Sequence, residues 1–269
     1  MLPIPRSLTS GVLAYAGPLL AAALALAGAL VCRPKARRAL LPAVGAGAAL
    51  AGWAAMLPRG TVLQAASGPR NGPELLLLPA TAAVGLSLLA LWWFRERAAA
   101  ALAVAVSAWW VAGSPAARAE FWRVWAATAA LGWVLSKAVG AQPFRGLAAP
   151  LALCGGLGLA GASVGWTEAA LVAAAGWAGL MPAGAGAVIP AGLMSGLVVG
   201  ADLAAGRLVR GRIDAADLTC AIACAAPFLA GAIAARTKRL GAAGPALAGI
   251  AAGLVGAGAA WLADRALRP

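Results

Sequence analysis

The chain has 269 residues, 63% of them hydrophobic and 11% charged, with a net charge of +13 and a mean hydropathy of +0.88. A soluble globular domain carries about 25% charged residues, so this composition leaves too little polar surface to face water and makes lipid the expected solvent. Histidine is absent, which excludes histidine metal sites, Ser-His-Asp triads and histidine proton relays together.

A membrane span needs about 20 mostly apolar residues, within a range of about 17–25. In chain order, ten stretches qualify: 11–32, 39–57, 75–94, 98–114, 124–142, 147–165, 169–186, 188–206, 218–235 and 243–262. The first follows MLPIPRSLTS. It is too long for a signal-peptide core, and ALVCRPK is a poor cleavage site, so it reads as an uncleaved first helix. The longest connection, 58–74, is PRGTVLQAASGPRNGPE, where Gly, Pro and Asn mark irregular backbone. Residues 169–206 carry only Gly and Pro punctuation before Asp202, in GLMPAGAGAVIPAG. That stretch is two helices with a tight turn or one broken helix, which sets the count at nine or ten. The expected fold class is all-α: a polytopic integral membrane helical bundle of about ten transmembrane helices, forming a single transmembrane domain over 1–269. Short connections make sequence neighbours antiparallel.

Small residues recur at packing spacing. Gly192, Gly196 and Gly200 form a GxxxGxxxG row, and Gly161/Gly165 and Gly249/Gly253 are further pairs. On one helix face such glycines let a second backbone approach closely. The four cysteines are Cys32, Cys154, Cys220 and Cys224. Cys220 and Cys224 share a helix face, but two thiols without histidine make a poor zinc site, so all four read as packing residues and no metal or cofactor is expected. No GxxxxGK[ST] pattern is present, so ATP is not bound by a P-loop. The basic residues sit in short clusters between apolar runs, as membrane loops do, and no nucleic-acid partner is expected.

Loop charge sets orientation. The dense clusters are RPKARR (Arg33, Lys35, Arg37, Arg38) and RTKR (Arg236, Lys238, Arg239). Placing both in the cytoplasm puts the N-terminus outside, and residues 207–217, RLVRGRIDAAD, outside as well. Arg207 and Arg210 are three apart, Arg210 and Asp214 four, Asp214 and Asp217 three, so a helix would gather them on one side. A voltage sensor repeats arginine at every third position of an apolar helix; here acids follow after one step. The GxGD motif of intramembrane aspartyl proteolysis is absent, since Gly200-Ala201-Asp202 lacks its second glycine. The stretch reads as an extracytoplasmic amphipathic connection. Lys137, near the end of the fifth segment, either snorkels to the interface or lines a pathway. Asp202 lies close enough to Arg207 to pair with it. Asp202, Lys137 and Asp214 are the candidate structural or pathway charges.

From Asp202 and Arg207 the chain runs through Asp214 to LTCAIACAAPFLAGAIAART. This resembles the last two helices of the iron-chelate, haem and cobalamin ABC-importer permeases, whose closing pattern is roughly ADxxAR…AxELPxGxxTAxxGAPFFxWLLRR. The spacings from Arg207 to Asp214 and from Asp214 to Pro227-Phe228 match; Asp202 is one residue further from Arg207 than the pattern wants. ALALAGAL (23–30), a basic loop and GAGAAL (45–50) are similar to that family's ALALAGALLQ…RNPLADP…GVSSGAALGA. AGWAGLMP (175–182) is a weaker match to GxxGFVGLxxPH. RNPLADP is replaced by RPKARRALLP, PHxxR is absent, and AVGAQPFRGLAAP stands where the family's ATPase-coupling segment belongs. The alignment lacks the family's first helix and leaves 243–262 as an extra C-terminal helix outside the permease-like core.

The resemblance implies a multi-pass protein of the bacterial inner membrane, a permease subunit working as a homodimer. A separate ABC ATPase would hydrolyse ATP, so the chain itself is not expected to be an enzyme. An extracytoplasmic binding protein would deliver an iron chelate, haem or cobalamin-like substrate. Outer-loop Arg59, Arg70, Arg118, Arg123, Arg207, Arg210 and Arg212 would pair with its acids. The alternative is a non-catalytic membrane scaffold or assembly factor derived from a transporter. A membrane enzyme is the weakest reading, because no nucleophile arrangement is present.

Overall fold

The computed structural model describes residues 6–32, 37–56, 143–159, 164–182, 215–237, 241, 243–267 and the single positions 81, 122, 126, 129 and 130. Among these residues every regular element is helical: α1 (Arg6–Val31), α2 (Arg37–Met56), α3 (Pro143–Leu159), α4 (Val164–Leu180), α5 (Ala215–Arg236) and α6 (Ala243–Leu267). The all-α class is therefore observed. The predicted spans 75–94, 98–114, 124–142 and 188–206 lie outside the described helices, and so does the two-helix question between Pro182 and Pro190.

Helix ends follow local chemistry. α3 opens on Pro143, whose missing N–H costs nothing in a first turn. α2 and α4 each stop two residues before a proline, Pro58 and Pro182, and after α4 the chain tightens into a 3-10 turn over 181–182. That stop ends α4 at Leu180, inside the predicted 169–186 stretch, while its start at Val164 takes in Trp166, Thr167 and Glu168. At the end of α5, the Thr237 N–H donates to the Ile233 carbonyl at 2.9 Å and its Oγ1 donates to the same oxygen at 3.0 Å. Gly241 then turns the chain with φ +59°, a conformation L-residues avoid, and Gly244 N–H donates back to its carbonyl at 3.2 Å.

Close contacts fix the helix directions. Gly17 meets Gly52 and Met56, and Gly28 meets Val44, so α1 and α2 are antiparallel. Gly146 meets Trp177 and Gly158 meets Thr167, so α3 and α4 are antiparallel. Gly45 meets Leu180 and Gly52 meets Val172, which opposes α2 to α4 and makes α1 and α4 parallel. Gly249, Gly253 and Gly256 of α6 meet Phe144, Leu151 and Ala152 in turn, so α3 and α6 run parallel. α5 opposes both, with Gly156 against Thr219 and Gly231 against Arg145. The result is two three-helix groups, α1–α2–α4 and α3–α5–α6, joined where α3 packs on α4.

The packing is made of small side chains. Alanine dominates the buried set, and Trp53, Leu153, Leu157, Leu180 and Val172 are the large apolar residues fully enclosed. Large side chains face outward: Leu19 is 68% exposed, Leu30 67% and Leu254 66%. The Gly249/Gly253 pair lies on the α6 face that meets α3, where a methyl group at Gly253 would come within 2.6 Å of Leu151 Cβ. Trp53 joins the α2–α4 contact by donating its Nε1–H to the Ala169 carbonyl at 3.1 Å in a buried setting.

Candidate functional site

The helix directions sort the ends of the elements onto two faces. One face gathers the end of α1, the starts of α2, α3 and α6, and the ends of α4 and α5. The other gathers the starts of α1, α4 and α5 and the ends of α2, α3 and α6.

The first face is basic. Arg145, in the first turn of α3, is half-buried and lays its guanidinium over Gly231 of α5, where an added Cβ would sit 2.8 Å from Cζ. A cation there lies in the last turns of α5, beside the helix end whose carbonyls carry partial negative charge. Exposed Arg236 closes α5 at the same end. α2 opens on Arg37 and Arg38 at the same face.

The second face carries the described acids. Asp264 is buried near the end of α6, one position before Arg265, whose guanidinium stacks 4.4 Å from the Trp261 ring centre. Glu168 lies in α4 just ahead of the predicted 169–186 span, and its partial burial pushes the carboxyl above the ordinary carboxylate range by desolvation.

Every residue singled out from sequence as a partner contact or pathway charge lies outside the described residues: Arg59, Arg70, Arg118, Arg123, Arg207, Arg210, Arg212, Lys137, Asp202 and Asp214. The structure brings forward instead Arg145, Trp53, Thr219 and Asp264. Only the Trp261–Arg265 pair, four apart on one helix, was open to sequence reasoning. The seat of Arg145 on Gly231 depends on a register between helices distant in sequence. Among the described residues no group of three or more His, Cys, Asp or Glu side chains could hold a metal ion. Cys32 and Cys154 are not joined in a disulfide.

Comparison with known protein families, with curated proteins and with solved structures finds no match in any of the three.

Proposed function

We propose that this chain is the membrane-spanning permease subunit of an ABC importer for an iron chelate, haem or a cobalamin-like substrate, built as a bundle of ten transmembrane helices in the bacterial inner membrane. The observation that carries the reading is the common face of three segments: the α1–α2 connection, the entry to α3 and the end of α5. In the family that the sequence resembles, the first and last of these are cytoplasmic, and the segment entering α3 stands where the ATPase couples. The charge of that face agrees, since basic loops stay in the cytoplasm.

Packing supports the membrane itself. Lipid tails are as apolar as leucine, so membrane helices bury Gly and Ala between them and turn large apolar side chains outward; the described helices do this. One of them, Ala243–Ala266, is long and apolar enough to cross by length and composition, and 16–31, 144–159 and 221–236 are shorter apolar helices. Directions support the span count. α2 ends on the face opposite the one where α3 begins, so the chain between them must change faces an odd number of times; the sequence supplies three apolar stretches there. The same holds between α4 and α5, where it supplies one.

A second reading, a non-transporting scaffold, is favoured by one feature. Among the described residues the buried polar or charged side chains are Thr219 and Asp264, which is little polar lining for a path. Uptake separates the two. Cells expressing the chain should take up a labelled ferric chelate, haem or cobalamin faster than a deletion strain. Charge reversal at Arg59, Arg70, Arg118 and Arg123 should abolish the difference if these residues dock a binding protein. Uptake indifferent to both the deletion and the reversal leaves the scaffold.

A further inference from the structure

Arg145 belongs to α3, but its charge is delivered to α5. Its Cζ and Nη2 both lie 2.8 Å from where a Cβ at Gly231 would stand. A side chain at 231 would fill that seat, so the glycine makes room for a cation at the α3–α5 seam. Gly231 precedes Arg236, the last residue of α5, by five positions. At about 1.5 Å per residue the guanidinium sits roughly 7–8 Å below the helix end. It is set into the flank of the bundle and not in the loop beyond it.

Arg236 is exposed. A helical side chain covers the turn N-terminal to its own Cα. One turn back from Arg236 is Ala232, which is exposed and too small to fill the space there. Ala232 adjoins Gly231, so the two cations border the same short stretch of α5 from two sides. A further turn back lies Phe228, 56% exposed, with exposed Leu229 next to it. Along this stripe the surface is apolar at Phe228, small at Ala232 and basic at its end. Among the described residues no acid lies on this face; Glu168 and Asp264 are on the other.

We propose that the α3–α5 seam binds one anionic phospholipid, with the headgroup phosphate between Arg145 and Arg236 and an acyl chain along Ala232 and Phe228. Arginine suits a phosphate, because its planar fork donates two parallel N–H bonds to two oxygens. The apolar continuation of the stripe suits a tail, which a free phosphate lacks. Depth favours a lipid over a soluble acidic partner. Such a partner meets the loops first, whereas a seat below the helix end and open sideways past Ala232 is reached from the bilayer. Basic seats between transmembrane helices on the cytoplasmic side hold acidic headgroups in this way. A lipid held there ties the entry of α3 to the end of α5. The inference rests on the membrane-spanning part of the functional reading and is independent of the importer assignment.

The test is lipid titration of the full chain, purified in mild detergent, stripped of lipid and followed by native mass spectrometry. The probes are short-chain phosphatidylglycerol, phosphatidylcholine of the same chain length, and glycerol phosphate. One phosphatidylglycerol should bind in preference to phosphatidylcholine, and glycerol phosphate should not displace it. Arg236→Gln, at an exposed position, should weaken that binding by about tenfold or more, as loss of a charge-assisted hydrogen bond does. Gly231→Leu keeps both arginines but takes the seat, and should weaken it as much. Arg145→Gln should do the same; if circular dichroism shows that this variant does not fold, the other two decide. Arg265→Gln, an exposed arginine on the opposite face, should change nothing. Equal affinity for the two lipids, or equal loss in Arg236→Gln and Arg265→Gln, overturns the site. Glycerol phosphate binding as tightly as phosphatidylglycerol overturns the lipid as its occupant. Carbonate washing of membranes that carry the chain separates this from the wider reading. Release into the wash defeats the membrane reading, while a chain retained in the membrane with no preference for phosphatidylglycerol defeats only the lipid site.

Discussion

Gly253 and Gly258 of α6 receive the same substitution, alanine, with opposite expected results. In a helix interior alanine is more favourable than glycine by about 1 kcal/mol. At Gly258 an added Cβ meets nothing within 4 Å, so Gly258→Ala should stabilise by most of that amount. At Gly253 the same Cβ would stand 2.6 Å from Leu151 Cβ and 3.4 Å from the Ala148 carbonyl oxygen. Ordinary carbon contacts lie at about 3.5–4.0 Å, so α3 and α6 must part by roughly 1 Å. Leu151 Cβ is bonded to the backbone and cannot swing aside. Overpacking of this kind costs about 1–3 kcal/mol, so Gly253→Ala should be net destabilising by up to about 2 kcal/mol after the propensity gain. The two variants should differ by about 1–3 kcal/mol. Detergent-titrated unfolding of the purified chain in mild micelles, followed by tryptophan fluorescence, measures this. Equal stabilisation by the two substitutions would refute the close α3–α6 seam.

Trp53→Phe removes the buried hydrogen bond to Ala169 and leaves a small void, and should cost about 1–2 kcal/mol in the same assay. Gly231→Ala should cost less than about 1 kcal/mol, because its Cβ meets the far end of a flexible Arg145 side chain, while Gly231→Leu should displace that guanidinium and cost clearly more. For Glu168, burial favours the neutral carboxyl in the folded chain. Its contribution is therefore present below the ordinary value of 4.5 and lost as pH rises through the raised one. Glu168→Gln should flatten the dependence of the unfolding midpoint on pH across that interval.

Helix existence was open to sequence reasoning because long apolar runs leave few alternatives: each of the six described helices overlaps a predicted span. Boundaries were less so. The start of α4 at Val164 passes through Trp166, Thr167 and Glu168, which hydropathy reads as a loop although nothing in them breaks a helix. Partnerships between helices were hidden. That α6 runs beside α3 follows from where Gly249, Gly253 and Gly256 meet Phe144, Leu151 and Ala152, and in an Ala-rich chain many glycine rows compete for such a role. Candidate site residues were chosen by charge, which favours loops. Arg145, one of the charges that the structure does place, sits within a helix and packs against Gly231, distant in sequence.

The importer assignment is tested most directly by a gentle-detergent pull-down of the full chain from native membranes, with mass spectrometry of what accompanies it. The account predicts an ABC ATPase together with a second copy of the chain or an extracytoplasmic binding protein. Recovery of the chain without any ATPase, under conditions that keep known permease–ATPase complexes intact, would contradict it.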